Sequence, residues 1–233
     1  MMKWFRKRFI SPVLQRFVRL YFKKERKFRY KSIKAVVFPG VFFPHFTLST
    51  RFVMSFLDPQ KEVLQGMSFL ELGCGTGMIS CLAAQKGAKV LATDINPRAL
   101  ENTKRNAELN KVEVETLHSD LFDSIPSQTF DYVVINPPYY PKNPVDDAER
   151  AWFCGENFEY FQKLFATMAP FVRPDSFVLM VLSEDCDLET IQSIARQNGF
   201  EFSKLLEKKI RGERNFLFQI SLELPHSESN LGF

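Results

Sequence analysis

Four short apolar runs, Ser68–Leu72 and residues 88–93, 130–135 and 177–182, are separated by stretches with helical or turn-forming character. Apolar runs of this length without polar alternation predict strands covered on both faces, as in a parallel sheet flanked by helices. After the first run comes Gly73-Cys74-Gly75-Thr76-Gly77, and then residues 78–84 in a helical pattern. Pro97 opens a second helix just past Asp94. Residues 112–118 alternate like a strand. Helices around 158–168 and Leu188–Gln197 follow, and a pair of strands at roughly 201–209 and 215–224 closes the chain, with Arg211-Gly212-Glu213 as its turn. No internal repeat appears.

Upstream, residues 34–44 predict two short strands joined at Pro39-Gly40, with Thr47, Ser49 or Thr50 capping a helix over residues 51–57. Near the amino terminus Trp4, Phe5, Phe9, Ile10, Val13, Leu14, Phe17, Val18 and Tyr21 recur at helical spacing, which predicts an amphipathic helix. The expected organisation is a basic helical extension over 1–34, one α/β domain over 35–225 and a flexible tail over 226–233. With 233 residues, 45% of them hydrophobic and 25 of them Phe, the chain can bury a sizeable core.

Charge sharpens that division. Residues 1–34 hold thirteen Lys and Arg against Glu25 alone, a net +12 in a chain whose total is +4, so the remainder is acidic at −8. The extension has three possible uses: docking its apolar face on the main domain, binding RNA phosphates or a ribosome, or lying on an anionic membrane. Cys74, Cys81, Cys154 and Cys186 form no C-x-x-C pair, and His45, His118 and His226 are scattered, so neither a metal site nor a disulfide framework is expected. Free cysteines and the lack of a transmembrane run or cleavable signal fit the cytoplasm.

The candidate chemistry lies at strand ends. Asn136-Pro137-Pro138-Tyr139 closes the run 130–135, and open α/β sheets bind ligands at the carboxyl ends of their strands. The prolines fix their own φ and bias Asn136 toward an extended backbone, so the Asn carboxamide and the Pro137 carbonyl can converge on one point. Two acceptors beside the Tyr139 ring suit a planar NH2 group, an amide or a nucleobase amine; the alternative is a plain surface turn. Glycines in the 73–77 loop allow close approach to a ligand, and a helix start favours anions. Asp94 follows Gly73 by 21 residues, the spacing of a ribose-binding carboxylate, though it could also simply cap the helix at Pro97. Glu71 suits a cationic amine or sulfonium better than a pyrophosphate.

With Glu71-Leu-Gly-Cys-Gly-Thr-Gly77 and Asn136-Pro-Pro-Tyr139 in this order, the chain resembles the class I S-adenosylmethionine-dependent methyltransferases, and among them the HemK-like N-methyltransferases. The resemblance covers about residues 36–224. It implies a Rossmann-like seven-stranded, mostly parallel sheet with an antiparallel last strand. It further implies that Glu71, Gly73, Cys74, Gly75 and Gly77 hold the methionine end of S-adenosylmethionine, Asp94 the ribose, and Asp120 with Phe122 the adenine. Asn136, Pro137 and Tyr139 would serve the methyl acceptor, with Asn136 also beside the cofactor. Phe46 and Thr50 stand where such enzymes cover the cofactor. The acceptors implied are a glutamine of a peptide-chain release factor or an exocyclic base amine of ribosomal or transfer RNA. A catalytically idle S-adenosylmethionine- or RNA-binding scaffold is the alternative. Residues 140–150 read as a substrate-side loop, with Trp152 either part of that lid or a plug in the core.

Overall fold

The computed structural model describes residues 24–41, 49–145, 149–210 and 212–223. The amphipathic pattern of 1–23, Phe46 and the tail from 226 lie outside them. The strands are β1 (Arg26–Tyr30), β2 (Ile33–Val37), β3 (Ser68–Leu72), β4 (Lys89–Asp94), β5 (Glu115–His118), β6 (Tyr132–Ile135), β7 (Phe177–Ser183), β8 (Phe200–Ile210) and β9 (Glu213–Leu222). The helices are α1 (Ser49–Leu57), α2 (Lys61–Leu64), α3 (Met78–Gln85), α4 (Pro97–Asn110), α5 (Glu159–Met168) and α6 (Leu188–Gln197).

Seven strands form one sheet in the order β5-β4-β3-β6-β7-β9-β8, parallel except for β9, which runs antiparallel between β7 and β8. After β3 the chain builds outward through β4 to β5, then crosses back to lay β6 against the other side of β3. The strand order therefore reverses between β3 and β6, and a crevice opens at that switch point. Leu72 is paired with Ile135, so the glycine loop after β3 and Asn136 after β6 leave the sheet side by side. Each face carries its own apolar layer. Phe161, Leu164, Phe165 and Ile191 of α5 and α6 cover one, and Ile33, Val53, Ile79 and Leu82 of β2, α1 and α3 cover the other.

The amino-terminal region departs from expectation. Residues 26–34 belong to no helix; β1 and β2 form an antiparallel hairpin whose turn is Lys31-Ser32, and not Pro39-Gly40. Phe28, Ile33, Ala35 and Val37 are buried and face the domain, while Lys27, Arg29 and Lys34 face outward. With only Phe28 fully apolar and buried in β1, the strand was hidden in the charge run. Pro39-Gly40 instead forms a turn beyond β2, with the Val41 N–H donating to the Phe38 carbonyl at 3.2 Å.

What holds this hairpin is a ladder of asparagines four residues apart on α4. The N–H groups of Lys34, Val36 and Phe38 donate to Oδ1 of Asn110 (2.8 Å), Asn106 (2.8 Å) and Asn102 (2.9 Å). The Nδ2 groups return bonds to the carbonyls of Lys34 (from Asn110) and Val36 (from Asn102 and Asn106). A helix rises about 6 Å in four residues and a strand about 6.6 Å in two, so the column of amides stays nearly in step with alternate residues of β2 and satisfies its edge as a neighbouring strand would. Asn106 is fully buried and also donates to the Thr76 carbonyl at 2.9 Å, tying hairpin to glycine loop. Asn106→Ala is expected to lower stability by about 2–4 kcal/mol, because it strands backbone groups of Val36 and Thr76. Urea denaturation checks this, and a loss below about 0.5 kcal/mol, the scale of a neutral surface change, would reduce the ladder to decoration.

Candidate functional site

At the switch point a cavity of about 450 Å³ opens on the carboxyl ends of β3, β4 and β6. Its walls include Glu71, Gly73, Cys74, Gly75 and Asp94 on one side and Asn136, Pro137, Pro138 and Tyr139 on the other. The two sequence motifs therefore share one space.

The glycine loop has the backbone its composition allows. Gly77 sits at φ 67°, and a Cβ there would run into the Thr103 side chain of α4. Gly73 has φ 70°, and a Cβ on it would meet no protein atom within 4 Å. Being also a wall of the cavity, it leaves its space to a ligand. Gly77 offers no side chain to cap α3, and Glu71 supplies one from β3: its Oε2 accepts the Ser80 N–H at 2.8 Å and the Ser80 hydroxyl. This occupies part of the helix start that the sequence left open for a ligand. Glu71 is 4% exposed, and burial pushes its carboxyl up to about 8 against the two Ser80 bonds, with the neighbouring charge of Asp94 adding to the rise. Among the described residues Oε1 has no hydrogen-bond partner.

Asp94 ends β4. Its Oδ2 accepts the Gly75 N–H and its Oδ1 the Asn96 N–H, each at 2.9 Å. Burial raises its pKa, opposed by those N–H groups and others. It is not the cap of α4: Asn96 is, accepting the Arg98 N–H at 3.0 Å, while its Nδ2 donates to the Gly40 carbonyl at 3.3 Å. Asp94 is thus oriented by backbone amides with its outer lone pairs toward the cavity it lines. Asp120 reaches the same wall, but its carboxylate meets Lys163 Nζ at 2.7 Å, an ammonium shared with Asp123 at 2.7 Å.

Phe122 does not line the cavity. Its ring is 3% exposed and stacks on Phe171 at 4.6 Å inside the core, because the turn after Asp120 directs it under the sheet; Leu121, at φ 55°, takes the wall instead.

Asn136 is half-buried, and its Nδ2 donates to Thr50 Oγ1 at 3.4 Å. Thr50 belongs to α1 and is 6% exposed, so the amide nitrogen is held from behind and Oδ1 remains to accept. The Tyr139 ring packs on the core, 4.8 Å from that of Tyr140; burial first, then the neighbouring Tyr140, raises its pKa. Beyond Tyr139 the chain returns on itself. Tyr140 N–H donates to the Trp152 carbonyl at 3.1 Å, Cys154 N–H to the Tyr140 carbonyl at 3.0 Å, and Lys142 lies over the Phe153 ring at 4.4 Å. Trp152 is half-buried on the cavity wall, as a lid residue would be, while Cys154 and Phe161 close the core below.

Sequence reasoning missed Ile95, Leu121 and Tyr160 as wall residues. Tyr160 carried only a helical-periodicity signal in α5, and its Asp94 and Asp120 neighbours come from the end of β4 and a loop, both distant in sequence. Among the described residues no group of His, Cys, Asp and Glu can hold a metal ion, and no helix is long and apolar enough to cross a membrane.

A family profile described as "methyltransferase small domain" matches residues 33–153, just over half the chain. The release factor glutamine methyltransferase of Aquifex aeolicus is 41% identical over 91 residues, 37% of this chain and 31% of that protein. Human methyltransferase HEMK2 is 28% identical over 172 residues, 69% of this chain and 80% of that protein. A chain of the E. cuniculi Mtq2–Trm112 complex, responsible for the methylation of the eRF1 translation termination factor, superposes with a TM-score of 0.60 at 24% identity, covering 78% of this chain and 99% of its own. The chain spans about a third of the length of the first curated relatives it matches.

Proposed function

The chain belongs to the methyltransferase small domain family, and we propose that it transfers a methyl group from S-adenosylmethionine to a planar amide or exocyclic amine nitrogen of a macromolecule. The observation that carries this reading is the shared cavity, which sets the Asn136 amide beside the glycine loop and Asp94.

The donor set fits the cofactor. Glu71 is a buried carboxylate with a free oxygen and no cationic partner among the described residues, the complement of a methionine amine. Asp94 is oriented by N–H groups to accept ribose hydroxyls. Two acids at one cavity suit the pyrophosphate of a dinucleotide poorly, since its charge would repel Asp94 and oppose ionisation of Glu71. When bound, S-adenosylmethionine supplies an electrophilic methyl on a sulfonium. The chain's own part is to place the acceptor nitrogen, whose lone pair is delocalised and weakly nucleophilic. Asn136 Oδ1 and the Pro137 carbonyl accept its N–H bonds, aligning it and favouring the positive charge that develops on attack. Tyr139 offers a ring to the face of the planar group, and packing against the core and Tyr140 keeps that ring in place. The acceptor partner is a protein glutamine of release-factor type or a base of ribosomal or transfer RNA, and the reaction belongs in the cytoplasm.

Transfer of labelled methyl from S-adenosylmethionine into separated protein and RNA fractions of a lysate tests the reading and identifies the acceptor class. Asp94→Ala is expected to weaken cofactor binding by about 1–3 kcal/mol, the cost of hydroxyls left without an acceptor. A protein that labels neither fraction and gives no heat with the cofactor would be the idle scaffold, or no cofactor binder at all.

A further inference from the structure

The hairpin's outward face carries an unneutralised row of cations. The register places Arg29 directly opposite Lys34, and Lys27 lies two residues before Arg29 on the same face. Like charges directly opposite one another across a strand pair destabilise it, and among the described residues no carboxylate is paired with Lys27, Arg29 or Lys34. Arg29 Nε donates to the Lys31 carbonyl, and the nearest acid in sequence is Glu25; Asp58 is taken by Lys31 and Lys86. Keeping the free edge of β1 from pairing with another strand would need one or two lysines, not a same-sign row spanning both strands. The fold gains nothing from this arrangement, whereas a polyanion would.

The row's place matters as much as its sign. Val37 at the end of β2 is paired with Arg26 at the start of β1, and Gly40 and Val41 just beyond line the cavity. The Arg26 end of the hairpin is therefore the end nearer the cavity. From Lys34 to Gly40 is six residues, at most about 20 Å of extended chain. The asparagine ladder fixes this face rigidly to α4 and, through Asn106, to the glycine loop.

We propose that the outward face of β1–β2, with Lys27, Arg29 and Lys34, is an RNA-binding surface whose Lys27 end lies toward the methyl-transfer cavity. It rests on the proposed function only in taking the RNA, alone or within a ribonucleoprotein, as the carrier of the acceptor. RNA is favoured over a membrane because the described cations lie on a strand pair that exposes no large apolar side chain: Phe28, Ile33, Ala35 and Val37 all face inward. A membrane-surface element needs an apolar side to insert.

The test uses the full chain and a short RNA duplex of mixed sequence, with binding measured across a range of salt. Wild type is expected to bind with an affinity that falls steeply as salt rises. Lys27→Glu/Lys34→Glu is expected to bind at least tenfold more weakly, with a log–log salt slope shallower by about 0.9 for each phosphate the variant no longer neutralises. Lys208→Glu/Lys209→Glu makes the same charge change at exposed sites on β8, the edge strand on the other side of the sheet, and is expected to keep wild-type affinity. Equal loss in both variants would reduce the effect to bulk charge and overturn the proposal. So would unchanged RNA affinity in Lys27→Glu/Lys34→Glu, or binding of phosphatidylserine vesicles with none of RNA. If the double reversal does not fold, Lys27→Gln and Lys34→Gln singly must each lower the slope, or the surface is not the site. Calorimetry with S-adenosylmethionine on the same proteins is expected to give unchanged affinity. No cofactor binding by wild type would sink the methyltransferase reading and leave the RNA surface standing.

Discussion

Asn136→Ala is expected to lower the rate of methyl transfer by about 10²–10³, the scale for removing one preorganised polar group from a transition state, while S-adenosylmethionine affinity stays within a few-fold. The separation follows from the sheet. Asn136 leaves β6 and Asp94 leaves β4, with β3 between them, so the acceptor side can be damaged without moving the carboxylate that holds the ribose. The loss should fall mainly on kcat, because the bond to Asn136 Oδ1 strengthens only as the acceptor nitrogen gains positive charge. Thr50 holds the amide nitrogen of Asn136, so an Asn136→Asp protein, which has no N–H for Thr50 to receive, is expected to be similarly impaired. Single-turnover transfer with calorimetry on the same preparations measures both quantities. Wild-type turnover by Asn136→Ala would end the planar-amine clamp.

Glu71→Gln is expected to remove a marked pH dependence of both stability and cofactor binding. Burial raises the Glu71 carboxyl from 4.5 to about 8 in the folded protein. Between those values the native state keeps a proton that the unfolded chain has released. This contribution is fully present below about pH 4.5 and is lost as pH rises through about 8, so wild-type stability should fall across that window by an amount on the order of several kcal/mol. Glu71→Gln, with nothing to ionise, should flatten the fall. Binding runs the other way. A cationic amine placed against Glu71 favours the carboxylate, so cofactor affinity should rise from about pH 5.5 toward about 8, and binding below that value should release a proton. Denaturation at about pH 5.5 and about pH 8.5, and calorimetry in buffers of different ionisation enthalpy, resolve the two effects. Identical pH profiles for wild type and Glu71→Gln would show that the carboxyl does not titrate in this range.

Both predictions use residues whose signals are local, since strand, glycine loop, helix, strand, acid and Asn-Pro-Pro-Tyr can each be read from a short stretch of chain. The apolar runs of β3, β4, β6 and β7 show no polar alternation, Glu71 of β3 apart, because their strands are buried on both faces. Gly77 has to be glycine, since its φ is positive and its missing Cβ makes room for Thr103. The fold class and Rossmann-like topology therefore follow from the order of these signals together with the resemblance they carry. The predicted closing pair also matches β8 and β9 to within two residues at most ends.

Periodicity could not reveal groups whose meaning depends on distant partners. Phe122 follows Asp120 by two residues, yet its ring belongs to the core because Phe171, 49 positions later, receives it. Strand β1 reads as a charge run because only one of its faces meets the domain, and what makes it a strand is its pairing with β2. Asn102, Asn106 and Asn110 look like three unfavourable residues in an ordinary helix; they are retained because β2 presents bare N–H and C=O groups at matching spacing. Glu71 has a high pKa because the central place of β3 buries it, against the bonds from Ser80 of α3. The elements, their order and the chemical types at the strand ends could be read from neighbouring residues, because local backbone preference and burial period are written there. Which side chains face the cavity, which carboxyl has a raised pKa and which face of the basic hairpin is exposed came from the folded arrangement alone, because burial, electrostatic proximity and edge pairing are set by residues far apart along the chain.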